Sequence, residues 1–174
     1  MKKIKNFQIV SAIFVMIAGT LLHFTYEWFP NCKGIALISA VNESTWEHLK
    51  LVFFPMLFSM LVGLFYLGNN RNVLFGKLVG TVVAMSFIVV FFYTYTGIIG
   101  ENFAALDIGS FFIAVILGEY EAYRIMISDE KNSNFSSIVI WCILIICFIV
   151  FTYNPPHIGL FKDPLTGTYG EMNK

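Results

Sequence analysis

The three histidines are the residues of this sequence best suited to bind a metal or to move a proton. His23, His48 and His157 each lie near the end of a long apolar stretch. If the chain crosses a membrane at each stretch, all three fall on the same side of it. His23 also shares one helix face with Glu27, because residues four apart in an α-helix lie above one another.

A polar run that begins at Asn42 carries further candidates. The Asn42 side chain is expected to cap the helix that starts there by accepting backbone N–H bonds. Glu43 and Glu47 lie four residues apart, as do Ser44 and His48, so each pair shares a helix face. The run therefore places two carboxylates and an imidazole at one helix start.

Neutral imidazoles and carboxylates on converging helices suit zinc, iron or manganese. Three protein ligands with an open position make a hydrolytic zinc site, in which the metal lowers the pKa of bound water. We therefore expect a divalent metal, zinc first, and a general base supplied by Glu43 or Glu47. The predicted ligands are His23, Glu27, His48 and His157.

Each of these residues also has a structural interpretation. Glu43 and Glu47 can complement the helix dipole and face interfacial water. His48 can hydrogen-bond Ser44 or a carboxylate and so order the loop. A nucleophile–base pair of Ser44 and His48 is the less favoured interpretation, since residues at this spacing often touch incidentally. His157 follows two prolines and can order an outer loop.

Three further acidic residues lie near or within the apolar stretches. Asp107 and Glu119 belong to the same predicted helix, where they are candidates for a proton or cation path. Asp163 lies in the segment 154–174, which is rich in turn-forming residues. We expect this segment to fold back over the outer mouth and to deliver His157 and Asp163 towards His48. The alternative is an exposed tail.

The composition indicates that these residues are carried by helices in a membrane. Of 174 residues, 57% are hydrophobic and 13% are charged, whereas soluble domains average roughly a quarter charged residues. This excludes an ordinary soluble enzyme. About 20 apolar residues span the hydrocarbon core as a helix. We therefore predict an all-α, polytopic, single-domain protein over residues 1–174. Its five predicted transmembrane helices cover residues 7–29, 49–67, 73–99, 104–127 and 135–153.

Two local features modify this arrangement. The apolar segment 34–41 is too short to span, so it is expected to be re-entrant or interfacial. Pro55, inside the second span, is expected to kink that helix.

The distribution of Lys and Arg in short loops sets the expected orientation. It favours a cytoplasmic N-terminus and an outside C-terminus in the cell membrane. Lys plus Arg and Asp plus Glu balance at 11 each, so no nucleic-acid partner is expected. The expected partner is the lipid bilayer, and a homodimer is compatible with so small a bundle. Three cysteines, two of them in an apolar run, make a disulfide framework unlikely.

Three segments carry a family resemblance. They are residues 40–51, 23–28 and 162–170, which contain Asn-Glu-Ser-Thr-Trp-Glu-His, His-Phe-Thr-Tyr-Glu-Trp and Lys-Asp-Pro-Leu-Thr-Gly-Thr-Tyr-Gly. In these segments, and over essentially its whole length, the chain resembles the bacterial membrane proteins of domain of unknown function 6512. The resemblance implies a multi-helix membrane protein and no catalytic residues.

The leading functional hypothesis is a His/Glu metal site at the outer leaflet that hydrolyses a lipid or another membrane-proximal substrate. A small transporter or channel lined by Asp107 and Glu119 is the alternative. A structural or accessory subunit, in which the polar cluster braces the loops, is the third.

Overall fold

The computed structural model describes residues 1–30, 32–68, 72–128 and 133–171. Across these residues the only β-structure is an isolated bridge between Lys162 and Tyr169, which confirms the all-α prediction. A short 3-10 helix covers Gly159–Phe161. The α-helices are α1 (Lys2–Trp28), α2 (Lys33–Ile38), α3 (Thr45–Leu67), α4 (Val73–Ile99), α5 (Ala104–Ile127) and α6 (Asn134–Tyr153).

Four of these helices, α1, α3, α4 and α6, are long and apolar enough to cross a membrane, as expected of a multi-pass membrane protein. The predicted fifth span corresponds to α5, whose sequence carries two charges within Glu121–Arg124 in addition to Asp107 and Glu119. Because of these charges, α5 is not one of the four helices. Large apolar side chains on the outside of the bundle, such as Phe65 (92% exposed) and Phe135 (78% exposed), suit contact with lipid.

Helices α1, α3, α4 and α5 form a closed ring, in which α1 contacts α3 and α5, and α4 contacts the same two helices. Helix α6 packs against α4 and α2. The core lies between α3 and its neighbours, with Phe53 and Met56 fully buried at its centre. The short helix α2 fills the place predicted for a re-entrant or interfacial element.

Glycines let α4 and α5 approach closely along their length. A Cβ on Gly80 would collide with the carbonyl oxygen of Gly118, and a Cβ on Gly118 would lie 2.5 Å from that of Gly80. The pairing is antiparallel, because Tyr95 near the end of α4 contacts Asp107 near the start of α5. These two helices therefore run side by side over several turns.

A proline and a glycine shape the contact between α1 and α3. Pro55 has no N–H, so the carbonyl of Leu51 lacks its usual partner within the helix. Helix α3 nevertheless continues without interruption through Pro55. The Leu51 carbonyl faces Gly19 of α1, where a Cβ would collide with it. The two helices thus approach closely at the position of the missing hydrogen bond.

The start of α3 differs from the sequence prediction. The N-cap is Ser44, whose Oγ accepts the N–H of Glu47 at 3.4 Å. Asn42 instead accepts the Ser44 N–H through its side chain at 2.9 Å and donates to the Gly170 carbonyl at 3.0 Å. The helix therefore begins at Thr45, two residues later than an Asn42 cap would give and four residues before the predicted span 49–67, so His48 lies in its first turn.

Candidate metal centre

Two helices bring His23 and His48 together. Gly19 of α1 packs against Leu51 of α3, His23 lies one turn after Gly19, and His48 lies about one turn before Leu51. The Nε2 atoms of the two histidines are 3.4 Å apart. Their rings meet edge to face, with centroids 5.1 Å apart. The close contact of α1 and α3 at Gly19 and Leu51 thus brings this pair together.

The turn before α3 adds Glu43 to the pair. Because Asn42 and Ser44 hold this turn through their side chains, Glu43 projects back over the first turns of the helix. Its Oε2 lies 3.4 Å from His48 Nε2. The donor atoms of His23, Glu43 and His48 all lie within 4.8 Å of one another.

Two of the three donor separations match those of a tetrahedral zinc site. Zinc–nitrogen and zinc–oxygen distances of about 2.1 Å give a tetrahedron whose edges are about 3.4 Å long. The His23–His48 and His48–Glu43 separations are both 3.4 Å. Two His and one Glu are also the ligand set of one class of catalytic zinc site, in which a fourth position stays open.

The hydrogen bonding of His48 leaves the nitrogen that faces the cluster available. Its Nδ1 lies 3.0 Å from the carbonyl oxygen of Ser44. A carbonyl only accepts, so Nδ1 carries the hydrogen and Nε2 holds the lone pair in the neutral ring. Metal-binding histidines are commonly oriented by such a bond from the other ring nitrogen.

The carboxyl of Glu43 is ionised over a wide pH range. When the His48 ring is protonated, its Nε2–H faces Glu43 Oε2 and donates a hydrogen bond to it. This bond lowers the pKa of Glu43 from the ordinary value of 4.5, against the effect of partial burial, and the charges of His48 and His23 lower it further. The group is therefore a negatively charged donor at neutral pH, as a metal ligand must be.

The cluster opens into a cavity of about 320 Å³. Apolar side chains of all four ring helices form much of its wall, among them Leu51, Ile88 and Phe111. Pro164 and Leu165 of the C-terminal segment also line it. A largely apolar cavity with a few convergent polar groups is typical of a small-molecule site.

Asp107 lines the same cavity from α5. Its Oδ1 accepts a hydrogen bond from the hydroxyl of Tyr95, and that hydroxyl accepts the N–H of Phe103 at 3.3 Å. The carboxylate is thus held in place across the cavity from the histidines, although the sequence suggested for it a role in transport.

The second predicted base, Glu47, faces away from this cavity. Its carboxylate is buried, lies 2.5 Å from Lys50 Nζ and accepts the N–H of Val41 at 3.1 Å. Lys50 in turn donates to the carbonyls of Ala36 and Ser39, at 2.8 and 3.3 Å. Glu47 and Lys50 therefore hold α2 against α3.

Two predicted ligands lie apart from the cluster. The exposed His157 ring stacks on Tyr169, with centroids 4.5 Å apart, because the segment that carries both residues folds on itself. Glu27 is exposed near the end of α1 and does not belong to the group formed by His23, Glu43 and His48. Ser44 is almost fully buried and caps α3, so its Oγ is engaged in the fold.

The C-terminal segment does fold back, and Asp163 shapes it. Its Oδ1 accepts the N–H of Leu165 at 2.8 Å, and its Oδ2 accepts the hydroxyl of Thr166 at 2.9 Å. The Glu171 N–H also binds the carbonyl of Thr152 at 2.9 Å. Asp163 therefore builds the turn that brings Leu165 to the cavity, and it is not itself one of the lining residues.

Glu119 belongs to a different polar cluster that the sequence analysis did not find. Its carboxylate lies 2.6 Å from Lys77 Nζ, and Ser11 donates to the same carboxylate at 2.6 Å. Ser59 hydrogen-bonds Ser11, so α1, α3, α4 and α5 all contribute. Lys77 lies near the start of the predicted span 73–99, yet it is fully buried. The sequence does carry a signal for this burial, because Lys77 follows Leu74 by three residues inside an apolar run.

Comparisons with known proteins extend over the sequence as a whole. No curated protein and no solved structure gives a significant match. A family model described as "Family of unknown function (DUF6512)" matches residues 1–171. The resemblance seen in the sequence is therefore confirmed, and the chain belongs to the DUF6512 family.

Proposed function

We propose that His23, Glu43 and His48 bind a divalent metal, zinc first, and that the site hydrolyses a membrane-proximal acyl ester. The observation that carries this proposal is the pair of 3.4 Å donor separations at the wall of an apolar cavity. Among the predicted donors of the described part of the chain, these three converge. Glu27 and His157 are therefore not proposed as ligands.

A bound metal would polarise the substrate carbonyl and supply an activated water. Asp107 would take a proton from that water, because it lines the cavity and Glu47 does not. The resulting hydroxide would add to the carbonyl carbon and the carbon–oxygen ester bond would break. The departing alkoxide would take the proton that Asp107 holds, which gives a carboxylic acid and an alcohol. Tyr95 holds the Asp107 carboxylate in place.

We also propose that α5 crosses the membrane, which gives five spans. Trp141 in the first half of α6 donates to the Leu74 carbonyl near the start of α4, at 3.3 Å. Thr152 lies at the other end of α6, where its carbonyl binds the N–H of Glu171. The adjacent Gly170 accepts a hydrogen bond from Asn42, just before the start of α3. Helix α6 therefore starts beside the start of α4, and α5 must return the chain to that side. The ion pair with Lys77 compensates the charge of Glu119, which α5 buries inside the bundle.

The proposed orientation places the N-terminus in the cytoplasm and the metal centre outside. Lys50 and Lys77 are buried in ion pairs, so they are left out when the Lys and Arg residues of the loops are compared. The two lysines lie at opposite ends of the bundle, so leaving both out does not change which end carries more Lys and Arg. Transport along Asp107 and Glu119 receives less support, because Asp107 lines the cavity and Glu119 is not among its lining residues.

The test is hydrolysis of a p-nitrophenyl ester of a medium-chain fatty acid by detergent-purified protein. Wild type is stripped with a chelator and then reloaded with zinc. We expect activity that the chelator removes and zinc restores, and that is lost in His48→Ala and Asp107→Asn. His157→Ala is the matched control and should remain active. Activity that survives the chelator, or equal activity in His48→Ala, would overturn the proposal.

A further inference from the structure

A second cavity, of about 260 Å³, adjoins the metal cavity between α1 and α5. Thr20 and Phe112 line both cavities. The remaining lining residues of the second cavity are Met16, Ile17 and Leu21. The two cavities therefore adjoin at Thr20 and Phe112, and a chain that runs from one to the other has to pass these side chains.

The second cavity is an apolar groove that opens to the outside of the bundle. Ile17 is 58% exposed and Leu21 is 50% exposed. The hydroxyl of Thr20 donates to the carbonyl of Met16 at 2.8 Å, so its polar group is satisfied within its own helix. On a helix that crosses a membrane, such a face contacts the acyl chains of lipids.

The path from the lipid to the metal centre thus changes from apolar to polar. It begins at Ile17 and Leu21, passes Thr20 and Phe112, and ends at His23, whose Nε2 faces His48. His23 lies on the same helix as the groove, less than one turn beyond Thr20. A ligand that fills both cavities must therefore have an apolar chain and a polar end.

We infer that the substrate is a single-chain amphiphile that enters sideways from the membrane. Its ester carbonyl lies at the metal centre, and its chain leaves between α1 and α5, past Thr20 and Phe112. A cavity of about 320 Å³ is near the lower limit for drug-sized ligands, so it takes one chain and not two. The position of the polar end rests on the proposed function, whereas the position of the chain rests on the groove.

Photo-crosslinking of an acyl chain tests this inference. The protein is reconstituted in lipid nanodiscs with a fatty acid that carries a diazirine in its chain, illuminated, and mapped by peptide mass spectrometry. We expect crosslinks at residues 16–21 and at Phe112 that excess unlabelled fatty acid suppresses. Thr20→Phe fills the passage and should reduce them about tenfold or more. Ile13→Phe, on the exposed face of α1, should leave them unchanged.

Metal content, measured on the same samples, separates the two proposals. Crosslinking that is equal in Thr20→Phe and wild type, or that spreads over all exposed faces without competition, overturns the inference while a metal-loaded protein keeps the proposed function. Groove labelling in a folded protein that takes up no metal supports the groove and overturns the metal proposal. Phe112→Trp fills the passage from α5 and provides the same comparison if Thr20→Phe does not fold.

Discussion

Glu43 and Glu47 carry the same carboxylate four residues apart, and their surroundings give them different functions. Glu43 lies beside His48 at the cavity, whereas Glu47 is buried against Lys50. We expect Glu43→Gln to weaken zinc affinity at least about tenfold and to leave the fold intact. Zinc titration with a competing chelator measures this change.

Glu47→Gln is the matched comparison and should behave in the opposite way. It leaves the buried Lys50 ammonium without its charged partner, which typically costs about 3–5 kcal/mol in the free energy of unfolding. Zinc affinity of the protein that still folds should change little. Thermal unfolding in detergent measures the stability, and loss of zinc binding with unchanged stability would contradict these assignments.

The pH dependence of metal binding follows from the donor atoms. Protons compete with zinc for the imidazole nitrogens, so zinc should be released as pH falls from about 7.5 to about 5. Glu43 stays ionised over this range because its folded-state pKa is lowered. In the metal-free protein this carboxylate therefore contributes stability above about pH 4.5, which is lost as pH falls through the lowered pKa. Metal analysis after dialysis at each pH measures the release, and retention at pH 5 would contradict imidazole ligation.

The sequence indicated the local part of this site better than the distant part. Glu43, Ser44 and His48 are neighbours in one helix start, so helical spacing is enough to relate them. The contact of His23 with His48 depends on the packing of Gly19 against Leu51, which hydropathy does not encode. For His157, the sequence predicts only a side of the membrane, and the ring contact with Tyr169 arises only when the C-terminal segment folds.

Among the helices, Gly19 is the position on which the metal centre depends most. A methyl group there would meet the Leu51 carbonyl and would lie 2.6 Å from the Phe111 ring. Gly19→Ala should therefore push α1 from α3, destabilise the protein by about 1–3 kcal/mol and separate His23 from His48. Gly97→Ala in α4, where nothing lies within 4 Å of the added Cβ, is the control. Zinc stoichiometry and unfolding midpoints check both, and normal zinc binding by Gly19→Ala would contradict this account.

The Lys77–Glu119 pair joins helices away from the metal centre. Removing one charge by Lys77→Met or Glu119→Gln should destabilise the bundle by about 3–5 kcal/mol, because the other stays buried and unpaired. The double variant Lys77→Met, Glu119→Leu should recover most of this loss and keep full zinc binding. Unfolding and zinc assays of the three variants measure this. A stable double variant without zinc would show that the two clusters are coupled.

Helix boundaries were largely predictable, since α4 and α5 have the predicted bounds 73–99 and 104–127. Long apolar runs between turn-forming residues determine such ends. Two features required the structure. The helix α3 continues through Pro55, and the Leu51 carbonyl that Pro55 leaves without its usual partner is used in packing against Gly19; the kink expected at Pro55 stays a prediction. The start of α3 shifts to Thr45 because Ser44, and not Asn42, provides the cap.

For the bundle as a whole, the number of crossings decides which side of the membrane holds each end. Five spans place the termini on opposite sides, whereas four place them together. In a Cys142→Ser, Cys147→Ser background, we expect the exposed Cys32 to react with a membrane-impermeant maleimide in intact bacterial cells. A cysteine at Lys2→Cys should react after permeabilisation. Labelling of Lys2→Cys in intact cells would contradict the orientation. The homodimer stays a prediction.

The metal content of purified protein tests the central claim most directly. Elemental analysis of wild type is compared with His23→Ala, His48→Ala and His157→Ala after zinc loading and removal of excess metal. The geometry predicts about one zinc per chain in wild type and in His157→Ala, and loss of zinc in the other two variants. A well-folded wild type that retains no divalent metal, or equal retention in His48→Ala, would contradict it and leave the His–Glu cluster as a hydrogen-bonded brace.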